Sequence, residues 1–230
     1  MSCIIFDLDG VLVNSMPAHY RAWKIAFKEV ANIDVDDRTI YLLEGMRGSE
    51  LVKTIFEQKG FSNHSVVERV NSKKNEIFKT IPNIDSYDGT KELIASLECY
   101  KAVVSGSAKE DVEAIIDRSF GKKSFDTIIT ADDIDKGKPD PSSFIIASRK
   151  MNIKPSQAIV VENAPLGVQA ANNAGIKCIV VLNNSPLVIS DFESLISEDG
   201  IFKETRSTKN VLQSWCKYAG AKNMYGKGRV

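Results

Sequence analysis

Two aspartates stand two residues apart at the end of a short apolar run. The stretch FDLDGVLVNS carries Asp7 and Asp9, with Gly10 directly behind and Cys3-Ile4-Ile5-Phe6 in front. Three more polar clusters follow apolar runs further along. VVSGS supplies Ser105, Gly106 and Ser107; DKGKPDP supplies Lys136 and Lys138 behind Asp132 and Asp133; VVENAPLG supplies Glu162 and Asn163. These residue types share one chemistry. Two or three hard oxygen ligands suit Mg²⁺, which keeps several waters and prefers a phosphate partner. A hydroxyl and an ammonium suit phosphoryl oxygens. A carboxylate can attack phosphorus and form an aspartyl phosphate, and magnesium offsets its repulsion from the anionic phosphate. DLDG alone could be a solvated turn. The four clusters together are specific.

The clusters must be brought to one rim. Ligands of parallel sheets bind beyond the carboxyl ends of the strands. Short β-branched runs at 3–6, 102–104, 127–129, 159–161 and 178–182 do not alternate, as expected of strands buried on both faces. Helical stripes separate them: Leu93, Ile94 and Leu97; Val112, Ile115 and Ile116; Phe144, Ile145 and Met151. Strand and helix in alternation predict an α/β, doubly wound parallel sheet. One interval departs from this. Tyr20, Trp23, Phe27 and Val30, then Leu51, Val52, Ile55 and Phe56, then Val67, Val70, Ile77 and Phe78 form three helical stripes with no strand between them. The division expected is a core of residues 1–14 and 85–230 and a small helical domain of residues 15–84, a length that can carry a small bundle. Pro82 and the stretch 83–89 read as the return linker. A last helix carries Val211, Leu212, Trp215 and Cys216, and 220–230 reads as a frayed end.

Bulk properties narrow the function classes. The 230 residues hold thirty basic and thirty acidic side chains, so no global charge argues for nucleic acid. Arg206, Lys209, Lys217, Lys222, Lys227 and Arg229 follow Glu204 with no further acid, and a solvated basic segment is the expectation. No run approaches the roughly 20 apolar residues of a membrane span, and no leader is expected before the first strand. Cys3, Cys99, Cys178 and Cys216 form no CxxC pair and read as reduced, buried thiols of a cytoplasmic protein. A monomer or small homo-oligomer without nucleic-acid or membrane partners is expected.

DLDGVL, a serine after the second strand, KPDP and an acidic pair after the fourth resemble the four motifs of the haloacid dehalogenase superfamily. The helical insert resembles its C1 cap, and the core its Rossmann-like fold. NSMPAHYRAW, KGKPDP and VVENAPLGVQAA are most similar to the β-phosphoglucomutase-like and sugar-phosphatase branch. The resemblance implies Mg²⁺ as cofactor, Asp7 as nucleophile and metal ligand, and Asp9 as acid and base with its backbone carbonyl on the metal. It implies Ser105 on the transferring phosphoryl group, Lys138 neutralising phosphate and nucleophile, and Glu162 and Asn163 closing the metal site. The familiar pair is Glu-Asp or Asp-Asp, so Asn163 departs by one charge.

Further residues are candidates for substrate contact. Gly10 lets the chain leave the strand tightly. His19 matches the family motif near the core–cap hinge. Lys74 falls on the stripe of Val67, Val70 and Phe78, and either snorkels outward or reaches a substrate phosphate. Arg47, between Gly45 and Gly48 in EGMRGSE, is a cap-loop candidate, and Gly106 and Ser107 complete the serine cluster. Lys109 behind them is a weaker phosphate candidate, and Asp132 and Asp133 read as capping acids. The expected function is a Mg²⁺-dependent phosphomonoesterase for a small phosphorylated metabolite, with a sugar phosphate foremost. The rivals are a phosphomutase, in which Arg47 and Lys74 bind a second phosphate, and a non-catalytic sugar-phosphate sensor.

Overall fold

The computed structural model describes residues 2–81, 84–197 and 200–218. Six strands form one parallel sheet in the order β3-β2-β1-β4-β5-β6. They are β1 (Cys3–Asp7), β2 (Tyr100–Val104), β3 (Thr127–Ile129), β4 (Ala158–Glu162), β5 (Lys177–Val181) and β6 (Ile201–Phe202). β1 lies at the centre because the chain runs outward through β2 and β3, then returns to its other side for β4, β5 and β6. That reversal is a switch point, and a crevice opens at the strands' carboxyl ends there. Every residue of β1 and β4 is buried. This explains their unbroken Ile and Val content, since helices cover both faces of such a sheet. β6 has two residues, too few to show as a run in the sequence.

Among the described residues, four α-helices occupy the interval after β1: α1 (Met16–Ala31), α2 (Asp37–Leu42), α3 (Gly48–Gln58) and α4 (Val67–Lys79). The other helices are α5 (Thr90–Ser96), α6 (Lys109–Phe120), α7 (Ser142–Lys150), α8 (Pro165–Asn173) and α9 (Lys209–Tyr218). The stripes place their apolar side chains as the 3.6-residue period requires. Trp23 and Phe27 of α1, Leu51, Ile55 and Phe56 of α3, and Val67 and Val70 of α4 are buried together. The same cluster includes Val168 of α8, Val180 of β5, Leu187 and Phe192. The insert therefore builds its interior against one flank of the sheet. α2, six residues long and capped by Asp36 on Thr39 N–H at 2.8 Å, was not visible as a stripe.

The cysteine reading needs correction. Cys99 and Cys216 form a disulfide, while Cys3 and Cys178 are free. The pair is 117 residues apart in sequence but its Cα atoms lie 5.1 Å apart, because α9 packs Leu212 and Trp215 into the core beside the start of β2. Spacing along the chain could not reveal this, and the cysteines no longer argue for a cytoplasmic address. Among the described residues, no helix is long and apolar enough to cross a membrane. Pro82, Asn83, Lys222, Lys227, Arg229 and the frayed-end reading lie outside the described residues.

Candidate active site

Sheet register sets the first contacts. Asp7 stands opposite Val104, and Phe6 opposite Val161, so Asp7, Ser105 and Glu162 leave neighbouring strands at one level. All three are buried. Lys138 enters from the loop before α7 and donates to Asp7 Oδ1 at 2.5 Å and to Glu162 Oε1. Glu162 Oε2 accepts the backbone N–H groups of Asn163 and Ala164 at 2.9 and 3.3 Å. Both Glu162 oxygens are thus engaged, whereas Asp7 Oδ2 makes no hydrogen bond. Burial pushes the Asp7 carboxyl well above the usual carboxylate range; Lys138 opposes this, and the charges of Glu162 and Asp9 add to it. Burial works against the Lys138 ammonium too, but Asp7 and Glu162 outweigh it and hold its value above the ordinary one.

Asp9 has a separate set of donors. Ser15 Oγ reaches Oδ1 at 2.6 Å and His19 Nε2 lies 3.1 Å from the same oxygen. Ser105 Oγ donates to Oδ2 at 2.9 Å and Ser107 Oγ at 3.4 Å. Ser15 is the residue before α1, yet its side chain makes no cap hydrogen bond; its hydroxyl is spent on Asp9. Burial would raise the Asp9 carboxyl, but His19 and the hydroxyl donors outweigh it and hold it well below the usual range. His19 itself goes down, first through burial and then through the charge of Lys74, with Asp9 opposing. Its ring stacks on Phe78 at 4.1 Å. Lys74 is buried, not snorkelled: its ammonium sits 4.7 Å from the Phe78 ring centre and 5.4 Å from that of Trp23. Burial lowers it to about 8, against the pull of Asp9 and Asp111.

The loop between α2 and α3 lies directly on the strand tips. Lys138 N–H donates to the Gly45 carbonyl at 3.0 Å. Gly45 has φ +90°, and a Cβ there would meet Lys138 Cδ at 2.5 Å, so only glycine allows this approach. Arg47 donates from its guanidinium to the Asp135 carbonyl at 2.8 Å, and Glu50 accepts from Gly137 N–H at 3.1 Å. Arg47 thus holds the loop to the core and also lines the cavity. Glu44 points inward. Its Oε2 accepts the Asn163 side-chain amide at 2.8 Å, while Glu44 Oε1 and Asn163 Oδ1 make no hydrogen bond. Burial, then the charges of Asp7, Glu162 and Asp9, push the Glu44 carboxyl well above its ordinary value.

A cavity of about 410 Å³ lies between this loop, α1, α4 and the tips. Asp7, Asp9, His19, Lys74, Gly106 and Ser107 line it. So does a polar stripe of α4, Glu68, Asn71 and Asn75, with Asp111 facing it from α6. Gly10 is a buried neighbour of Asn163: with φ +80°, a Cβ there would meet Asn163 Nδ2 at 2.1 Å. Lys109 is exposed, and its backbone N–H is capped at 2.8 Å by Asp132, which also lines the cavity. Asp133 accepts from Thr130 and Lys150.

The side chains of Asp7, Asp9 and Glu162 do not converge as an acidic cage. Among the described residues, no three His, Cys, Asp or Glu side chains are grouped to hold a metal. Asp9 is turned to its four donors and Glu162 to Lys138 and two amides. Among the described residues, the buried oxygens left bare around the tips are Asp7 Oδ2, Asn163 Oδ1 and Glu44 Oε1, with Ser143 Oγ bare in α7. Unpaired buried polar atoms are rare and call for a partner, and three hard oxygens at one rim fit a divalent cation of the magnesium type. The motifs did not disclose Glu44, Ser15 or the α4 stripe. Glu68, Asn71 and Asn75 recur at helical spacing beside Lys74, a signal that was available in the sequence.

The chain is similar to known proteins over most of its length. The family model of haloacid dehalogenase-like hydrolases matches residues 4–181. The chain is 31% identical over 206 residues to a validoxylamine A 7'-phosphate phosphatase of Streptomyces hygroscopicus subsp. limoneus, covering 87% of this chain and 92% of that protein. It is 27% identical to a fructose-1-phosphate phosphatase of Escherichia coli, over 77% of this chain and 95% of the other. Among solved structures, a putative beta-phosphoglucomutase from Bacteroides vulgatus superposes with a TM-score of 0.82 at 27% identity, over 94% of this chain and 90% of that one.

Proposed function

The chain belongs to the haloacid dehalogenase-like hydrolases, and on that premise we propose that it is a phosphomonoesterase for small phosphorylated metabolites, sugar phosphates foremost. The observation that carries the reading is the Asp7–Lys138 pair. One oxygen of a buried carboxylate is fixed by an ammonium, the other is bare, and the residue lines the cavity. This arrangement aims a nucleophile and neutralises it together with an incoming phosphate. The relatives named for phosphatase activity on validoxylamine A 7'-phosphate and fructose 1-phosphate support the substrate class. The cavity adds to that support, because Glu68, Asn71, Asn75 and Asp111 offer acceptors and donors for hydroxyl groups.

In this reading the Asp7 carboxylate attacks phosphorus through one oxygen and the phosphoryl group passes to it as an aspartyl phosphate, the leaving alkoxide taking a proton from Asp9. Asp9 then removes a proton from water, which attacks the phosphorus and frees Asp7. The depressed Asp9 carboxyl suits the second duty. The first requires a proton on Asp9, whose carboxyl His19 does most to hold down, with Ser15 and Ser105 adding to it. When Ser105 turns to the phosphoryl oxygens, Asp9 loses a donor and its proton affinity rises. Lys138 stays between Asp7 and Glu162 and balances charge throughout. Asp7, Asn163 and the Asp9 backbone carbonyl would hold Mg²⁺, which would supply positive charge against the phosphate. Helices α1 to α4 act as the cap, with Lys74 and His19 on its inner face.

The test is phosphate release from a panel of sugar phosphates, phosphoglycolate and nucleotides, in Mg²⁺ and in EDTA. Release from sugar phosphates in Mg²⁺ alone is expected. No release from any substrate, or release that persists in EDTA, contradicts the proposal.

A further inference from the structure

We infer that Glu44, a residue of the cap loop, supplies the carboxylate that Asn163 lacks, so that the divalent-cation site is completed across the two parts of the molecule. The inference rests on the Mg²⁺ reading above. At the fourth strand tip the chain carries an amide where a second acid would complete the pair, and an amide oxygen brings no charge. Three observations point to Glu44 as the replacement. Its Oε2 accepts the Asn163 amide at 2.8 Å, which fixes the carboxylate against that side chain. Its Oε1 and Asn163 Oδ1 are both buried and without hydrogen bonds, as is Asp7 Oδ2. Glu44 lines the same cavity as Asp7 and Asp9.

The alternatives explain less. A purely structural glutamate would have both oxygens paired, since an orphaned buried acceptor costs free energy. A substrate-binding glutamate would not need to lie against Asn163. The loop is also built to deliver it. Gly45 presses on Lys138 with its carbonyl on Lys138 N–H, and Glu50 ties the loop to Gly137 two residues earlier in the core chain than Pro139. Lys138 alone touches both Asp7 and Glu162, and adding Glu44 leaves the buried acids in excess. A divalent cation offsets that excess, and an aspartate at 163 would have faced Glu44 as a like charge. The pairing of amide and carboxylate avoids this. The consequence is that cation affinity depends on the cap loop being seated, which a site built from the core alone would not show.

The experiment measures cation binding apart from turnover. Mn²⁺ or Mg²⁺ affinity is read by calorimetry or by free Mn²⁺ resonance for wild type, Glu44→Gln and the double variant Glu44→Gln/Asn163→Asp. Ligand charge tunes hard-cation affinity, so Glu44→Gln should weaken binding by about tenfold or more. The double variant should recover most of it by moving the charge to the core. Melting temperature gives a second readout. In EDTA, Glu44→Gln should be at least as stable as wild type, because a repelled buried carboxylate is gone. In excess cation it should gain less than wild type does. Glu44→Gln with wild-type cation affinity overturns the inference alone. A wild type that binds no cation overturns it together with the Mg²⁺ reading beneath it.

Discussion

Lys138 donates to Asp7 across 2.5 Å, in a pocket where both side chains are almost wholly buried. Glu162 takes another hydrogen bond from the same ammonium and is itself anchored by two backbone amides. One cation therefore separates two carboxylates that would otherwise face each other in low dielectric. The position of the proposed nucleophile, Asp7, and the stability of the site share a single residue, Lys138.

Lys138→Met tests that sharing. It removes the ammonium and leaves two buried acids unpaired, a change worth about 3–5 kcal/mol of stability. Turnover should fall by roughly 10²–10³-fold as electrostatic support is lost. The pH trend follows from the raised Asp7 carboxyl. A carboxyl whose folded value is raised adds stability that is full below its unfolded value and is lost as pH rises through the folded one. The variant should therefore melt higher at pH 5 than at pH 7. Thermal melts across that range check the sign, and a variant as stable as wild type at pH 7 would contradict the pairing.

Asp9→Asn should slow turnover by roughly 10²–10⁴-fold, the usual worth of a positioned acid and base. Substrate affinity should change little, because Ser105 and Ser107 remain to meet the phosphoryl group. Steady-state kinetics separate the two effects. A loss below about fivefold, well short of that general acid–base range, would mean that the proton is handled elsewhere.

In the proposed reading Lys74 should set a pH limit on substrate binding. Burial brings its ammonium to about 8, so its charge disappears within a measurable range. KM should rise above pH 8 in wild type. Asp9, Asp111 and His19 are the charged and titratable groups that act on it. Lys74→Arg, charged at all accessible pH, should remove the rise. The lysine also carries a stability penalty that is full below about 8 and relieved as pH climbs toward 10.5, because the unfolded chain then binds more protons than the folded one. Lys74→Met should therefore melt no lower than wild type at pH 7 while binding substrate more weakly. A flat KM profile across pH 7–9.5 would place the ammonium outside the substrate's reach.

The hydrolase and mutase readings part at the second half-reaction. β-Glucose 1-phosphate incubated with the enzyme and Mg²⁺ should yield free phosphate. Accumulation of glucose 6-phosphate, stimulated by a trace of bisphosphate, would instead make Arg47 and Lys74 a second phosphate site. The Arg47 guanidinium already binds the Asp135 carbonyl, which favours a loop-holding duty.

The tips of β1, β2 and β4 were legible in the sequence because each ends an unbroken apolar run, and burial on both faces forces such runs. Asp7, Ser105 and Glu162 followed from that alone. β6 was not legible, since two residues carry no period. α2 was missed for the same reason. Lys74 was legible as a phase match on α4, but its seat over Trp23 and Phe78 depends on how α4 packs on α1. Glu44 was beyond reach: a single acid in a loop has no pattern, and its meaning comes from a contact 119 residues away in the chain. The Cys99–Cys216 pair was hidden likewise, by tertiary approach.

The central claim is that Asp7 carries the phosphoryl group. Acid quenching during turnover, followed by borohydride reduction and peptide mapping, reads this directly, since an acyl phosphate is reduced where a free carboxylate is not. The account predicts reduction of Asp7 to homoserine in wild type with a phosphorylated substrate and Mg²⁺, and none in its absence. It also predicts an Asp7→Asn protein that folds but does not turn over. Reduction at another residue, or an active Asp7→Asn protein, would contradict it.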